Sequence, residues 1–502
     1  MKNKNLSENN LNVLNKYLDT FVPKRKNYYS NVRFTSKVPK KKYILHIGVG
    51  GFHRSHQGFA IHEINKIESD VEWKYIGVGL LEFDKPLLNT LKKQDYRYTL
   101  VSRSNQKSMV EIMKIFEKCY YIPEEKEPFF ETIFHPEIHI ISLTITEKGY
   151  HFDSDTNLDK TNPDIDHDIV HWTLFGNSKP KTAIGFICTY LKNIHVFNYQ
   201  PVTVMSCDNL CHNGDLLKKL CIQFLEIVDP LMIPFLQENI AFPNSMVDRI
   251  TPYTTKTDRF ALQVNYNIID EIPVVCENFF SWALENKFSS EIPMFSAFHR
   301  ITLTDNVTPY ENQKLVFLNS SHSFIGYLGY RFNIAFIFEF MMDVSLVHSL
   351  TKYMVTLLPC FEDSTELDHS AYILELKHRF GNFFIKDEIK RILQDGSRKL
   401  NVSLQYPLRY FFTHQKSDPP SSITFLFALF LYFYLSEPYD NIVDAKKQMI
   451  GDPIRQELSP SSVQESLQHV ISSDYHDWNE LFTSVHTHLE KIKSASFSKN
   501  QT

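Results

Sequence analysis

One stretch, Tyr43 to Ile64 (YILHIGVGGFHRSHQGFAIHEI), limits the fold more than any other. Apolar residues run into Gly48, Gly50 and Gly51 and resume at helical spacing, which predicts strand, tight turn and amphipathic helix, the opening of a βαβ unit. Without side chains at the turn, backbone can approach a pyrophosphate seated on the helix N-terminus. The third glycine of G-x-G-x-x-G falls at His53, so the fingerprint is incomplete, and a purely structural turn is the alternative reading. His53 and His56 suit a metal by spacing alone, whereas Arg54 between them suits a phosphate better. Gly48, Gly50, Gly51, Phe52 and Arg54 are therefore the candidate cofactor contacts. A second strand, WKYIGVGLL, ends just before Glu82, an acid placed to accept hydrogen bonds from an adenosine ribose and to repel a 2′-phosphate. That favours NAD over NADP, with Asp84 close by and Lys85 arguing weakly the other way.

The chain of 502 residues exceeds what one hydrophobic core usually serves, so two domains are expected. Residues 1–40 read as a polar arm. Residues 41–300 continue the strand and helix alternation through IHIISLTIT at 138–146, TAIGFICTYLKNIHVF and PVTVMSCDN, an α/β Rossmann-like domain. HFDSDTNLDKTNPDIDHD is a solvated loop by composition. Residues 301–502 turn to long helical periodicity and predict a mostly α-helical second domain, with the last residues, IKSASFSKNQT, fraying.

Charge is balanced, with 53 Lys and Arg against 58 Asp and Glu, so no global positive field draws in nucleic acid or anionic lipid. A small-molecule or protein partner fits better, and a monomer is expected. The N-terminus has no secretory pattern, and the strongest apolar run, Ile423–Leu435, spans 13 residues where a membrane helix needs about 20, so it reads as a buried helix. Seven scattered cysteines without a CxxC suit reduced thiols and a cytoplasmic setting. Cys207 and Cys211, beside His212, form the one close pair, and no second pair supports zinc there.

Between Tyr310 and His322, chemically able side chains sit inside an apolar helical pattern. At 100° per residue, Glu311, Lys314, Asn319 and His322 share an arc of roughly 140° along about 16 Å of axis. They line one wall of a cleft or, on the blander reading, form a solvated face with an ordinary Glu and Lys pair. A lysine that is desolvated and beside a positive nicotinamide loses its proton more readily and becomes a base. Asn319, and Asn209 after the TVMSCDN strand, would then donate to the developing alkoxide, and His322 would hold a substrate hydroxyl. Tyr310 and Lys314 also form the YxxxK pair of short-chain dehydrogenases, but at the start of the helical domain rather than inside a nucleotide domain.

HIGVGGFHRSHQ, SLTITEKGY, SCDN followed by NGD, FPNSMVDRITP, PVVCENFFSWALE, KLVFLNSSHSFIGYLGY and DGSRK, in this order over about residues 43–400, resemble the blocks of the mannitol 2-dehydrogenase family of polyol-specific long-chain dehydrogenases. The resemblance implies an NAD-dependent, zinc-independent oxidation of a secondary polyol, D-mannitol to D-fructose first of all. The family's KxxxxNxxH falls on Lys314, Asn319 and His322, implying base, oxyanion donor and substrate-orienting or base-orienting roles. It also implies a second oxyanion donor in Asn209, a proton path through Glu311, and substrate contacts from Asp248, Arg391 and Lys399. A uronate or aldonate oxidoreductase of the same family, using Arg391 and Lys399 as carboxylate partners, is the alternative substrate reading. A catalytically silent NAD-binding protein is the alternative of another class.

Overall fold

The computed structural model describes residues 39–105, 107–125, 132–174, 179–362, 367–415, 419–471 and 478–494. All but the last two residues of the expected polar arm, and residues 495–502 of the expected frayed tail, lie outside them. The chain divides into two units, the first ending at Val307 and the second beginning at Thr308.

In the first unit the strands are β1 (Lys40–Ile47), β2 (Val71–Gly79), β3 (Tyr98–Arg103), β4 (Ser108–Met113), β5 (Phe116–Tyr121), β6 (Ile138–Leu143), β7 (Thr203–Ser206), β8 (Ser245–Asp248), β9 (Val274–Glu277), β10 (Ser281–Glu285) and β11 (Ile301–Thr304). Five of them make a parallel sheet in the order β5-β2-β1-β6-β7. Because successive side chains of a strand point to opposite faces, β1 feeds two cores. Leu45 and Ile47 join Ile76, Val78, Ile141 and Leu143 on one face, where helix Ala183–Val196 supplies Ile184, Ile187 and Leu191. Ile44 joins Tyr75, Ile140 and Met205 on the other, against Phe59, Ala60 and Ile64 of helix Gln57–Ile67. Burial on both faces explains why these strands read as continuous apolar runs. Helix Ala183–Val196 starts where it does because the Thr182 hydroxyl accepts from Gly185 N at 3.0 Å.

From β1 the chain goes to β2 on one side and later to β6 on the other. Ligands of open α/β sheets bind outside the carboxyl ends of the strands at such a reversal, and the glycine turn leaves β1 at that edge. β3, β4 and β9 form a second sheet, and β8, β10 and β11 a third. The third sheet moves the domain boundary past the expected residue 300, because Ile301–Thr304 runs parallel to β10 with Ile301 opposite Trp282.

The second unit is helical throughout its main elements. Helix Ser421–Ser436 is its axis, with Leu426 to Leu431 fully buried in one core cluster, as the apolar run predicted. Helices Ser320–Arg331 and Asn479–Lys493 pack against it. The segment Val344–Phe361 matches a membrane span in length and composition, yet Leu346, Leu350, Tyr353 and Met354 belong to the same core.

Candidate active site

The glycine turn is built from backbone. Gly48 has φ +85°, and a Cβ there would collide with Thr144 O, so the position admits glycine alone without strain. The Thr144 hydroxyl donates to Gly48 O at 2.9 Å and pins the turn to the end of β6. Gly50 is the extended residue ahead of helix Gly51–Ser55, whose start has no side-chain cap and no acid in its first turn. A Cβ at Gly50 or Gly51 would meet only one atom each, at 3.8 and 3.9 Å, so the outer side of the turn is open. Uncapped N–H groups at a helix start, with room before them, are what a pyrophosphate needs.

The side chains after the turn face inward. His53, standing where the fingerprint has its third glycine, is fully buried and stacks on His46 with ring centroids 3.4 Å apart. Burial holds the His46 imidazole neutral, down to about 3, and pushes His53 well below its ordinary value. His56 turns elsewhere, with Nε2 and Ser281 O 3.0 Å apart, so the two histidines do not converge on one ion. Arg54 departs from the phosphate role expected of it. It is buried, donates to the carbonyls of Gly50 and Ile272, and lies over the Tyr98 ring, bracing the turn from inside. Phe52 is half-buried and stacks on His56.

After β2, Asp84 accepts from Leu80 N and Leu81 N at 3.0 Å and so shapes the turn, leaving Glu82 as its exposed acid. Lys85 pairs with Glu124 at 2.5 Å. The ends of β7 and β8 carry the other candidates of this unit. Asn209 is exposed in the bend after β7, and Asp248 is buried as the last residue of β8, opposite Ser281. Cys207 is buried and Cys211 exposed. Among the described residues one cluster, His62, Glu63 and Glu111, gathers metal-type ligands, and Lys66 already donates to both carboxylates at 2.5 and 3.0 Å.

In the second unit Glu311 lies on helix Thr308–Gln313, and Lys314 opens a π-helical turn, Lys314–Asn319, that leads into helix Ser320–Arg331. Glu311 and Lys314 are only 2% and 8% exposed, which removes the solvated-face reading of this pair. Asn319 and His322 are half-buried. The π turn, with its i to i+5 hydrogen bonding, changes the angular spacing after Lys314, so the 140° arc computed for a regular helix does not hold. No glycine or proline lies between Lys314 and His322 to signal it. His322 Nε2 is out of contact with solvent and has no hydrogen-bond partner among the described residues. Burial lowers this imidazole to about 4, opposed by Asp387 and reinforced by Arg391, Arg379 and Lys399. Arg391 is held by Asp387 through Nε–Oδ1 at 2.8 Å and Nη2–Oδ2 at 2.7 Å. Lys399 donates to Ile392 O at 2.9 Å, and burial, with Arg391 nearby, brings it down to about 8.

The model of the mannitol dehydrogenase Rossmann domain matches residues 42–296, and that of the mannitol dehydrogenase C-terminal domain matches residues 306–493. The chain belongs to the mannitol dehydrogenase family. Mannitol 2-dehydrogenase of Aspergillus terreus is 34% identical over 366 residues, 72% of either chain, and that of Aspergillus oryzae is 32% identical over 425 residues, 83% of this chain and 82% of the relative. A solved structure of Pseudomonas fluorescens mannitol 2-dehydrogenase, a ternary complex with NAD and D-mannitol, superposes with a TM-score of 0.77 at 29% identity, covering 90% of this chain and 92% of that one. A D-sorbitol dehydrogenase in substrate-free form gives 0.78 at 26% identity, covering 91% and 96%. In this member of the mannitol dehydrogenase family, sequence reasoning passed over Asp208, the buried neighbour of Asn209, although SCDN contains it. An acid just past an apolar strand was the available signal.

Proposed function

We propose that this member of the mannitol dehydrogenase family is an NAD-dependent polyol dehydrogenase that oxidises a secondary alcohol, D-mannitol to D-fructose first of all, with Lys314 as general base. The observation that carries the reading is the removal of Lys314 and Glu311 from water at the entrance to a π turn that also presents Asn319 and leads to His322. π-bulges inside helices recur at functional sites, and desolvation favours the neutral amine that can take a proton.

In this reading Lys314 Nζ takes the hydroxyl proton and Glu311, three residues back, passes it on. The carboxamides of Asn319 and Asn209 donate to the oxygen as negative charge develops, a contribution of about 3 kcal/mol per donor. His322, neutral over the working pH range, offers its Nε2 to a substrate hydroxyl, and Asp248 accepts from another. Gly48, Gly50 and Gly51, with Phe52, would hold the dinucleotide, Glu82 its adenosine ribose. NAD⁺, when bound, supplies the hydride acceptor.

The Arg391 and Asp387 ion pair favours the neutral polyol over the uronate alternative, because one of the two cations that a substrate carboxylate would use is already paired, while the other, Lys399, is tied to the Ile392 carbonyl. The test is nicotinamide reduction by the purified protein in excess chelator, with D-mannitol, D-arabinitol, D-sorbitol or D-mannonate and either NAD⁺ or NADP⁺. Turnover of a neutral polyol with NAD⁺ is expected. Turnover of mannonate alone would move the protein to the uronate branch, loss of activity in chelator would contradict the lysine mechanism, and NAD⁺ binding without turnover of any substrate would favour a silent protein.

A further inference from the structure

The loop after β6 holds a conformation its sequence does not favour. Thr146 sits at φ +61° and ψ +166°, a region that is essentially glycine's. Such strain, of order 1–3 kcal/mol, persists only where the surroundings over-determine the backbone. Here the Thr146 carbonyl accepts from Gly149 N at 3.1 Å, and its amide side is held by one buried side chain. Asp208, buried at the end of β7, accepts from Ile145 N at 3.0 Å through Oδ2 and from Thr146 N at 2.8 Å through Oδ1. Tyr150 OH donates to Oδ2 at 2.8 Å and meets Ser206 Oγ at 2.6 Å. The carboxylate thus fixes the two amides that lead into the strained residue, and Tyr150 holds the carboxylate from behind.

The same loop presses on the glycine turn. Thr144 bonds Gly48 O, and a Cβ at Gly48 would lie 3.1 Å from Ile145 Cγ2. Asp208 is also the residue before Asn209. One carboxylate therefore fixes the loop against the open glycine turn and the chain that presents the oxyanion donor, all at the carboxyl edge of the parallel sheet.

We propose that Asp208 is a positioning residue for cofactor binding: it clamps the strained Ile145–Thr146 peptide and thereby holds the Gly48 turn in its dinucleotide-receiving shape. The inference rests on the proposed NAD-dependent reading. Its logic is that the clamp matters because residue 146 is not glycine. With glycine there, the conformation is nearly free and the clamp becomes dispensable.

The experiment is a double-mutant cycle on the full chain with NAD⁺ binding read by titration calorimetry, using wild type, Asp208→Asn, Thr146→Gly and the double variant. Asp208→Asn keeps the shape but gives one N–H donor an NH₂ to face. It is expected to weaken NAD⁺ binding at least tenfold and to speed hydrogen exchange at the Ile145 and Thr146 amides. Thr146→Gly alone should leave binding within about twofold, and the double variant should recover most of the lost affinity. Additive losses, or wild-type affinity in Asp208→Asn, would overturn the clamp. Where Asp208→Asn folds poorly, Asp208→Glu, which retains the charge at a longer reach, is expected to bind NAD⁺ with intermediate affinity, and no loss there would also contradict the proposal. A wild-type protein that does not bind NAD⁺ would overturn the functional reading instead, while amide exchange at unchanged rates in Asp208→Asn would overturn the clamp by itself.

Discussion

The two units prepare their candidate ligand contacts by opposite means. In the first, the contacts at the glycine turn come from backbone whose shape is enforced, with Gly48 at positive φ, Gly50 and Gly51 left bare, and Thr146 strained under Asp208. Side chains near the turn, Arg54 and His53 among them, face inward and hold it. In the second, the contacts are side chains drawn wholly or partly out of water on a π turn and the helices on either side of it, and backbone merely carries them. Enforced backbone tunes how well something is held. Desolvated amines, carboxylates and imidazoles tune what can be done to it.

If that division is right, damage to the two regions should appear in different constants. The largest separation is expected from Asn319→Ala, which should lower kcat about a hundredfold to a thousandfold with little change in NAD⁺ affinity. Asn209→Ala should behave alike despite lying in the first unit, and a loss confined to NAD⁺ binding would break the comparison there. Gly48→Ala should do the reverse, weakening NAD⁺ about tenfold to a hundredfold and lowering the melting temperature, because a strained residue facing Thr144 O costs about 1–3 kcal/mol. Equilibrium binding and a thermal melt check both halves.

A smaller effect sharpens the contrast through pH. His322 has its folded value lowered to about 4 from an ordinary 6.5, so its neutral form is the one folding selects. The associated stability is fully present above pH 6.5 and is lost as pH falls from 6.5 toward 4. His46, lowered to about 3, adds a loss of the same sign from the first unit. Urea midpoints should therefore fall between pH 7 and pH 4.5. His322→Asn should flatten that slope in part while leaving NAD⁺ affinity at pH 7 unchanged. A slope that His322→Asn leaves intact would place the acid sensitivity with His46 and His53 under the turn.

What sequence made legible follows the same line. The strand, turn and helix at 43–64 and the burial of 423–435 were readable because apolar periodicity and glycine placement are local signals. Strands β8, β9 and β11 have four residues each and are too short to show a clear period, so much of the second and third sheets is visible only in the structure. Among site residues, Lys314, Asn319 and His322 were visible as chemically able side chains in an apolar run, but the π turn was not, since nothing in KLVFLNSSH breaks a helix. Arg54 misled because a cation beside a glycine turn invites an anion, while its burial depends on the carbonyls of Gly50 and Ile272. Asp208 escaped notice because its task is set by Thr146, which is 62 positions away.

The central claim is that Lys314 removes the proton, and the most direct measurement is the pH dependence of D-mannitol oxidation by wild type and Lys314→Ala in excess chelator, with NAD⁺ binding measured in parallel. The account predicts a fall in kcat of about 10²–10⁴ in the variant, intact NAD⁺ affinity, and loss of the basic-side dependence that wild type shows. Undiminished turnover in Lys314→Ala with the same pH profile would contradict it.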